Sequence, residues 1–132
     1  AEELKAMKKR KRKLVDPLQF ELSIRAEDLA NYVPSFGWEM MPPTEKQLAA
    51  LERKGIFPDE IDCAGKASLI LERLETRRLE GLATPKQIRF LEQRGFNHVG
   101  NWAFDDASSM ISRFANNNWK TPYGVVPEEY RP

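Results

Sequence analysis

Residues 84–96 read TPKQIRFLEQRGF, and 40 residues earlier, at 44–56, the chain reads TEKQLAALERKGI. Both open on Thr, carry Lys and Gln two and three positions on, hold a Leu-Glu pair, and close on Gly plus a large apolar residue. Extended without gaps, 44–74 matches 84–114 at nine of 31 positions, where unrelated sequence gives about two. Substituted pairs keep their character: Leu48 answers Ile88, Ile56 answers Phe96, Leu71 answers Ile111 and Leu74 answers Phe114. An internal duplication is the simplest explanation.

The repeated phrase specifies a helix at both ends. Thr44 and Thr84 are placed to accept from the backbone N–H three residues on, while Gln47 and Gln87 reach back to the cap's own N–H, the reciprocal capping box. Apolar residues at 48 and 51, and at 88 and 91, supply the inward face, and Gly55 and Gly95 offer the left-handed conformation that stops the helix. After a loop of roughly ten residues a second helix is expected, with Ala67, Ile70, Leu71 and Leu74 in one copy and Ala107, Met110, Ile111 and Phe114 in the other, spaced i, i+3, i+4 and i+7. Asp105 and Asp106 fall in its first turn, where negative charge suits the helix dipole.

The spacing therefore predicts a mainly α fold, with helix, extended loop and helix at 44–83 and again at 84–122. Neither pair alone buries enough, so the two are expected to pack together or onto the preceding segment. That segment, 1–43, reads as a polar basic stretch ending in Lys8, Lys9, Arg10, Lys11, Arg12 and Lys13, then an irregular connector. Four prolines within 14–43 leave room for one short helix near 25–32, and Phe20, Leu22, Phe36 and Trp38 are expected to dock on something. The tail, 123–132, is expected to be extended.

The totals exclude several classes. Across 132 residues, 21 basic side chains face 20 acidic ones, so no global field draws the molecule to nucleic acid or anionic lipid, and any such attraction is local. The second repeat is the more basic, with five cations against three carboxylates. No apolar run approaches the roughly 18 residues a membrane span needs. The single cysteine, Cys63, has no internal disulfide partner, which points to a reducing compartment such as the cytoplasm. The N-terminus has neither Met nor the apolar centre of a signal peptide, so a fragment of a longer chain is expected.

Catalytic patterns are poor. Nucleophile and base must meet, yet Cys63 and the one histidine, His98, sit at non-equivalent loop positions. One Cys and one His do not complete a zinc site. Asp59, Glu60 and Asp62 form an acidic cluster that reads first as a solvated loop, and as a hard-cation or metal-dependent nuclease site only distantly. The run AGKAS resembles the end of a phosphate-binding loop, but Glu60 stands where that motif requires Gly.

Nucleic-acid binding fits better. Lys46 and Lys86 lie in the first turn of their helices, against the dipole, an arrangement that makes sense where a phosphate docks on the free N–H groups. Arg113 recurs from Arg73, and Arg89, Arg94 and Lys120 interleave with Trp102 and Trp119, cations and aromatics suited to backbone contact and base stacking. A small helical unit also needs large apolar anchors, for which Trp102 and Phe104 are the candidates. The basic block is either a sequence-independent phosphate contact or a solubilising linker.

The run from KLVDPLQFELSIRAEDLANYVPSFGWEM (13–40) through ATPKQIRFLEQRGFNHVGNWAFDDASSMISRFANNNWKTP (83–122), nearly the whole chain, resembles the C-terminal region of bacterial DEAD/DEAH-box helicases of superfamily 2, of the kind carried on mobile elements and in prophages. The most specific pieces are ATPKQIRFLE and GNWAFDDAS. The resemblance implies a non-catalytic accessory module of an ATP-driven DNA helicase, with ATP and Mg²⁺ bound only in motor lobes upstream and DNA and those lobes as partners. A single repeat is also similar to SAP-type DNA-binding motifs. The rival expectation is a protein-interaction module that docks on the motor or on a replication or recombination partner through Phe20, Phe36, Trp38 and the tail.

Overall fold

The basic block closes a helix. In the computed structural model, which describes residues 2–132, α1 (Glu2–Lys13) carries Glu2 and Glu3 in its first turn and Arg10 to Lys13 in its last. That order complements the helix dipole at both ends. None of its residues is buried.

The connector is more helical than its prolines suggest. Asp16 accepts from the Gln19 N–H at 3.1 Å and Pro17 takes the first helical position, where its missing N–H costs nothing, so α2 runs over Pro17–Ser23. Arg25, with φ 57°, breaks the chain before α3 (Glu27–Ala30), which is shorter than the helix expected over 25–32. A 3-10 turn follows at Gly37–Met40.

The two repeats then unfold at a constant offset: α4 (Glu45–Arg53) and α6 (Pro85–Gln93) begin 40 residues apart, as do α5 (Ala64–Leu79) and α7 (Phe104–Ala115). Both capping boxes form, with Thr44 and Gln47 bonded at 3.1 and 3.0 Å and Thr84 and Gln87 at 3.2 and 3.0 Å. Gly55 and Gly95, at φ 91° and 94°, close Schellman turns: Ile56 N–H reaches Leu51 O at 2.9 Å and Phe96 N–H reaches Leu91 O at 3.1 Å. α5 stops at Gly81 in the same way, whereas α7 runs out in Asn116–Asn118 and turns on Asn118 and Trp119 at positive φ.

One core joins everything. Leu51, Ile56, Ile70 and Leu74 from the first repeat meet Ile88, Leu91, Phe96, Met110 and Phe114 from the second, and Val15, Phe20, Ala26 and Leu29 of the connector complete it. Phe20 is therefore a core residue rather than a docking one. Gly100 lets α2 approach closely, since a Cβ there would sit 2.4 Å from the Ser23 carbonyl oxygen. The tail is held too: Tyr130 packs on Phe96 and Trp102, and Asn97 donates to Glu128 O at 3.1 Å. Among the described residues there is no strand, and the protein is mainly α-helical.

Candidate nucleic-acid interface

Where α4 and α5 end, α6 and α7 begin, and the four termini enclose a cavity of about 640 Å³ at the seam between the repeats. Arg53 and Lys54 come from the end of α4, Arg77 and Arg78 from the end of α5, and Lys86 from the first turn of α6. Against these five cations stands one lining carboxylate, Asp105. Leu74, Leu82, Ala83, Pro85 and Phe104 supply an apolar floor and wall.

Each cation has a distinct setting. Lys86 runs its aliphatic stem across Gly55, where an added Cβ would lie 3.1 Å from its Cγ and Cε. The glycine that stops one helix thus makes room for the lysine that starts the next. Arg77 is only 8% exposed; its Nη2 donates to Ala83 O at 3.0 Å and Gly100 O at 2.9 Å, while Nε has no partner. Burial lowers its pKa, with Arg73 adding repulsion and Glu80 working the other way, yet a guanidinium stays charged at neutral pH. Among the described residues it makes no ion pair. Arg78 binds Glu75 through two bonds, at 3.0 and 2.7 Å, and that contact holds the Glu75 carboxyl below its ordinary value. Lys54 reaches the same carboxylate at 4.0 Å, so Glu75 is the local counter-charge outside the cavity.

The helix terminus is less open than its dipole alone suggests. Pro85 has no N–H, the Gln87 N–H is taken by Thr84, and among the described residues the Lys86 N–H is left as the one first-turn amide of α6 without a protein acceptor. The capping box that fixes the helix consumes donors a ligand would otherwise use.

The residues singled out in the sequence are scattered. Lys86 lines the seam; Lys46, its counterpart, is exposed outside it, and in the first repeat Tyr32 and Glu39 of the connector pack onto Gly65, the position 40 residues before Asp105. Arg89 donates to Leu14 O at 2.7 Å and to Lys13 O at 3.5 Å, tying α6 to the end of α1. Arg94 lies 3.5 Å above the Phe90 ring and donates to Phe90 O, a packing role. Arg113 and Lys120 are exposed and outside the seam. Trp102, at 4% exposure, stacks edge-on against Phe96, so it is not available to a base. Phe104, expected in the core, is 43% exposed instead. Trp119 is exposed and caps Phe90 edge-on.

The basic block is divided. Arg10 pairs with Glu52 and Asp59, and Lys11 with Glu60 at 3.8 Å, both cations lying over the Phe57 ring. Lys8, Lys9, Arg12 and Lys13 stay exposed. The same pairs occupy the acidic loop, and among the described residues no group of His, Cys, Asp and Glu converges as a metal site. Cys63 is buried at the start of α5, and His98 is exposed beside Arg25, 3.3 Å away.

Arg53, Lys54, Arg77 and Arg78 do not stand out in the sequence because each sits in or just past the last turn of a helix, where cations simply offset the dipole. The signal that finds them is proximity to Gly55, Gly81 and Thr84, which stop one helix and start another within a few residues. Searches against protein-family models, curated proteins and solved structures found no match to this chain.

Proposed function

We propose that this chain is a non-catalytic DNA-binding accessory module of an ATP-dependent helicase, and that the seam between its repeats takes the phosphate backbone. The observation that carries this reading is the gathering of five cations against one lining carboxylate around the start of α6. With Glu75 counted as well, the cluster remains strongly positive in a molecule whose net charge is only +1. A concave wall of one sign focuses potential and concentrates a polyanion there.

Binding to short DNA should fall steeply with salt, each neutralised phosphate contributing about 0.7 to 0.9 to the logarithmic slope. Lys86→Ala together with Arg78→Ala should weaken binding and flatten that slope by about one or two units. Replacing Lys8, Lys9 and Arg12 with Ala is the control, since these lie on α1. No binding at low salt, or binding that only the α1 substitutions reduce, would remove the seam from consideration.

A second reading rests on a different edge. Phe36 and Trp38 are 77% and 61% exposed, and Val33, Met40 and Met41 are exposed beside them in sequence, an unusual density of solvent-facing apolar side chains. In that reading the connector docks on the helicase motor. Phe36→Ser with Trp38→Ser would then abolish association with the motor while leaving DNA affinity intact. Unchanged association in that variant would eliminate it.

A further inference from the structure

We infer that the seam accepts one nucleotide of an unpaired strand, its phosphate on the cation cluster and its base against Phe104, so that the module binds single-stranded in preference to duplex DNA. This rests on the DNA-binding reading above and adds the strand type and the contact that selects it.

Three observations converge. The cavity, about 640 Å³, is the size of a small-molecule site rather than of a surface that cradles a duplex. A duplex presents phosphates outward and keeps its base faces stacked, so it has nothing to place in a concave apolar slot. An unpaired strand offers a charged and a flat aromatic group within one residue.

The wall matches both halves. Phe104 begins α7 with its ring nearly half exposed, alongside Leu82 and Pro85. Ala64 begins α5 40 residues earlier and is buried, so starting a helix at this point does not require an aromatic side chain. Exposed aromatic rings flanked by cations are the means by which single strands are held without sequence preference.

Arg77 is the second, independent pointer to an anion. It is more than nine-tenths buried in the seam's wall, both of its hydrogen bonds go to carbonyls, Nε is unpartnered, and among the described residues no carboxylate pairs with it. Buried charges are ordinarily matched by an opposite charge. Glu80 acts on it only from beyond contact, and a phosphate beside Lys86, Arg78 and Lys54 supplies the close partner that the described residues do not.

The test compares three ligands of equal length by fluorescence anisotropy at low salt: oligo(dT), a duplex, and an abasic strand that keeps the phosphates and lacks bases. Oligo(dT) should bind about ten-fold or more tighter than either of the others. Phe104→Ala and Phe104→Leu should each weaken oligo(dT) binding about ten-fold, with duplex affinity and the salt slope unchanged, and Phe104→Tyr should restore it. Equal affinity for oligo(dT) and the abasic strand overturns the inference whatever the variants do, and so does a duplex bound as tightly as oligo(dT). Either result leaves DNA binding at the seam intact provided Lys86→Ala still weakens it. No binding of any of the three ligands removes both.

Discussion

Arg77→Met tests how the repeats are joined. Methionine keeps the unbranched apolar stem and deletes the guanidinium, leaving the Ala83 and Gly100 carbonyls without the donor that now reaches them at 3.0 and 2.9 Å. Hydrogen bonds from a charged group contribute about 1.5 to 3 kcal/mol each. Relief of the guanidinium's desolvation works in the opposite direction, so the lower end applies, and two bonds give about 3 kcal/mol of lost stability. In a chain of this size that corresponds to a fall of roughly 10 °C in Tm. Urea unfolding followed by far-UV circular dichroism is the assay: the midpoint should drop with the slope m unchanged, because the surface exposed on unfolding is nearly the same. A variant within about 0.5 kcal/mol of the parent would refute the reasoning. It would mean that the link 81–84 is held by the Leu82–Ala103 bridge and the core alone.

Other perturbations discriminate further contacts. Gly100→Ala drives a Cβ to 2.4 Å from a backbone oxygen of Ser23, which cannot swing aside, and should cost about 2 kcal/mol or more by thermal unfolding; a neutral result would show that α2 is free to shift. Thr84→Ala and Thr44→Ala should each lose about 1 kcal/mol through the cap, measured the same way, and Thr84→Ser should recover most of it. The Tyr32 hydroxyl donates to Glu39, which pushes its pKa up to about 12. Because the folded value lies above the ordinary one of about 10, the contribution of this bond is complete below about pH 10 and is lost as pH rises through the folded value. Absorbance at 295 nm should show a phenol ionising near pH 12, and Glu39→Gln should abolish it; no such late ionisation in the parent would disprove the bond.

The parts of the fold that were legible in the sequence are those fixed locally. Thr44, Gln47, Thr84 and Gln87 act within one turn, Gly55 and Gly95 act on their own φ, and the spacing of Ala67, Ile70 and Leu74 needs only helical periodicity. α2 is written in the sequence as Asp16 followed by Pro17, a helix start that the density of prolines obscures. The interface was not legible for a physical reason. Its cations lie in three segments, and which ends meet is set by the joint packing of the two repeats, a long-range property. Lys46 and Lys86 are equivalent in sequence and differ in surroundings: Lys86 crosses Gly55 and meets the helix ends of the first repeat, whereas the connector packs onto Gly65 at the start of α5.

The seam has a thermodynamic corollary. Its walls come from both repeats, so a ligand seated there touches groups that are together only when the whole chain is folded, and the unfolded chain offers no equivalent. By mass action such a ligand raises the free energy of unfolding by about 2.7 kcal/mol at a hundred times its Kd. Melting temperature would then become a function of ligand concentration, and a panel of unlabelled oligonucleotides could be ranked by heating the protein alone. The four helix ends that meet at the seam would report their own occupancy as the stability of the entire molecule.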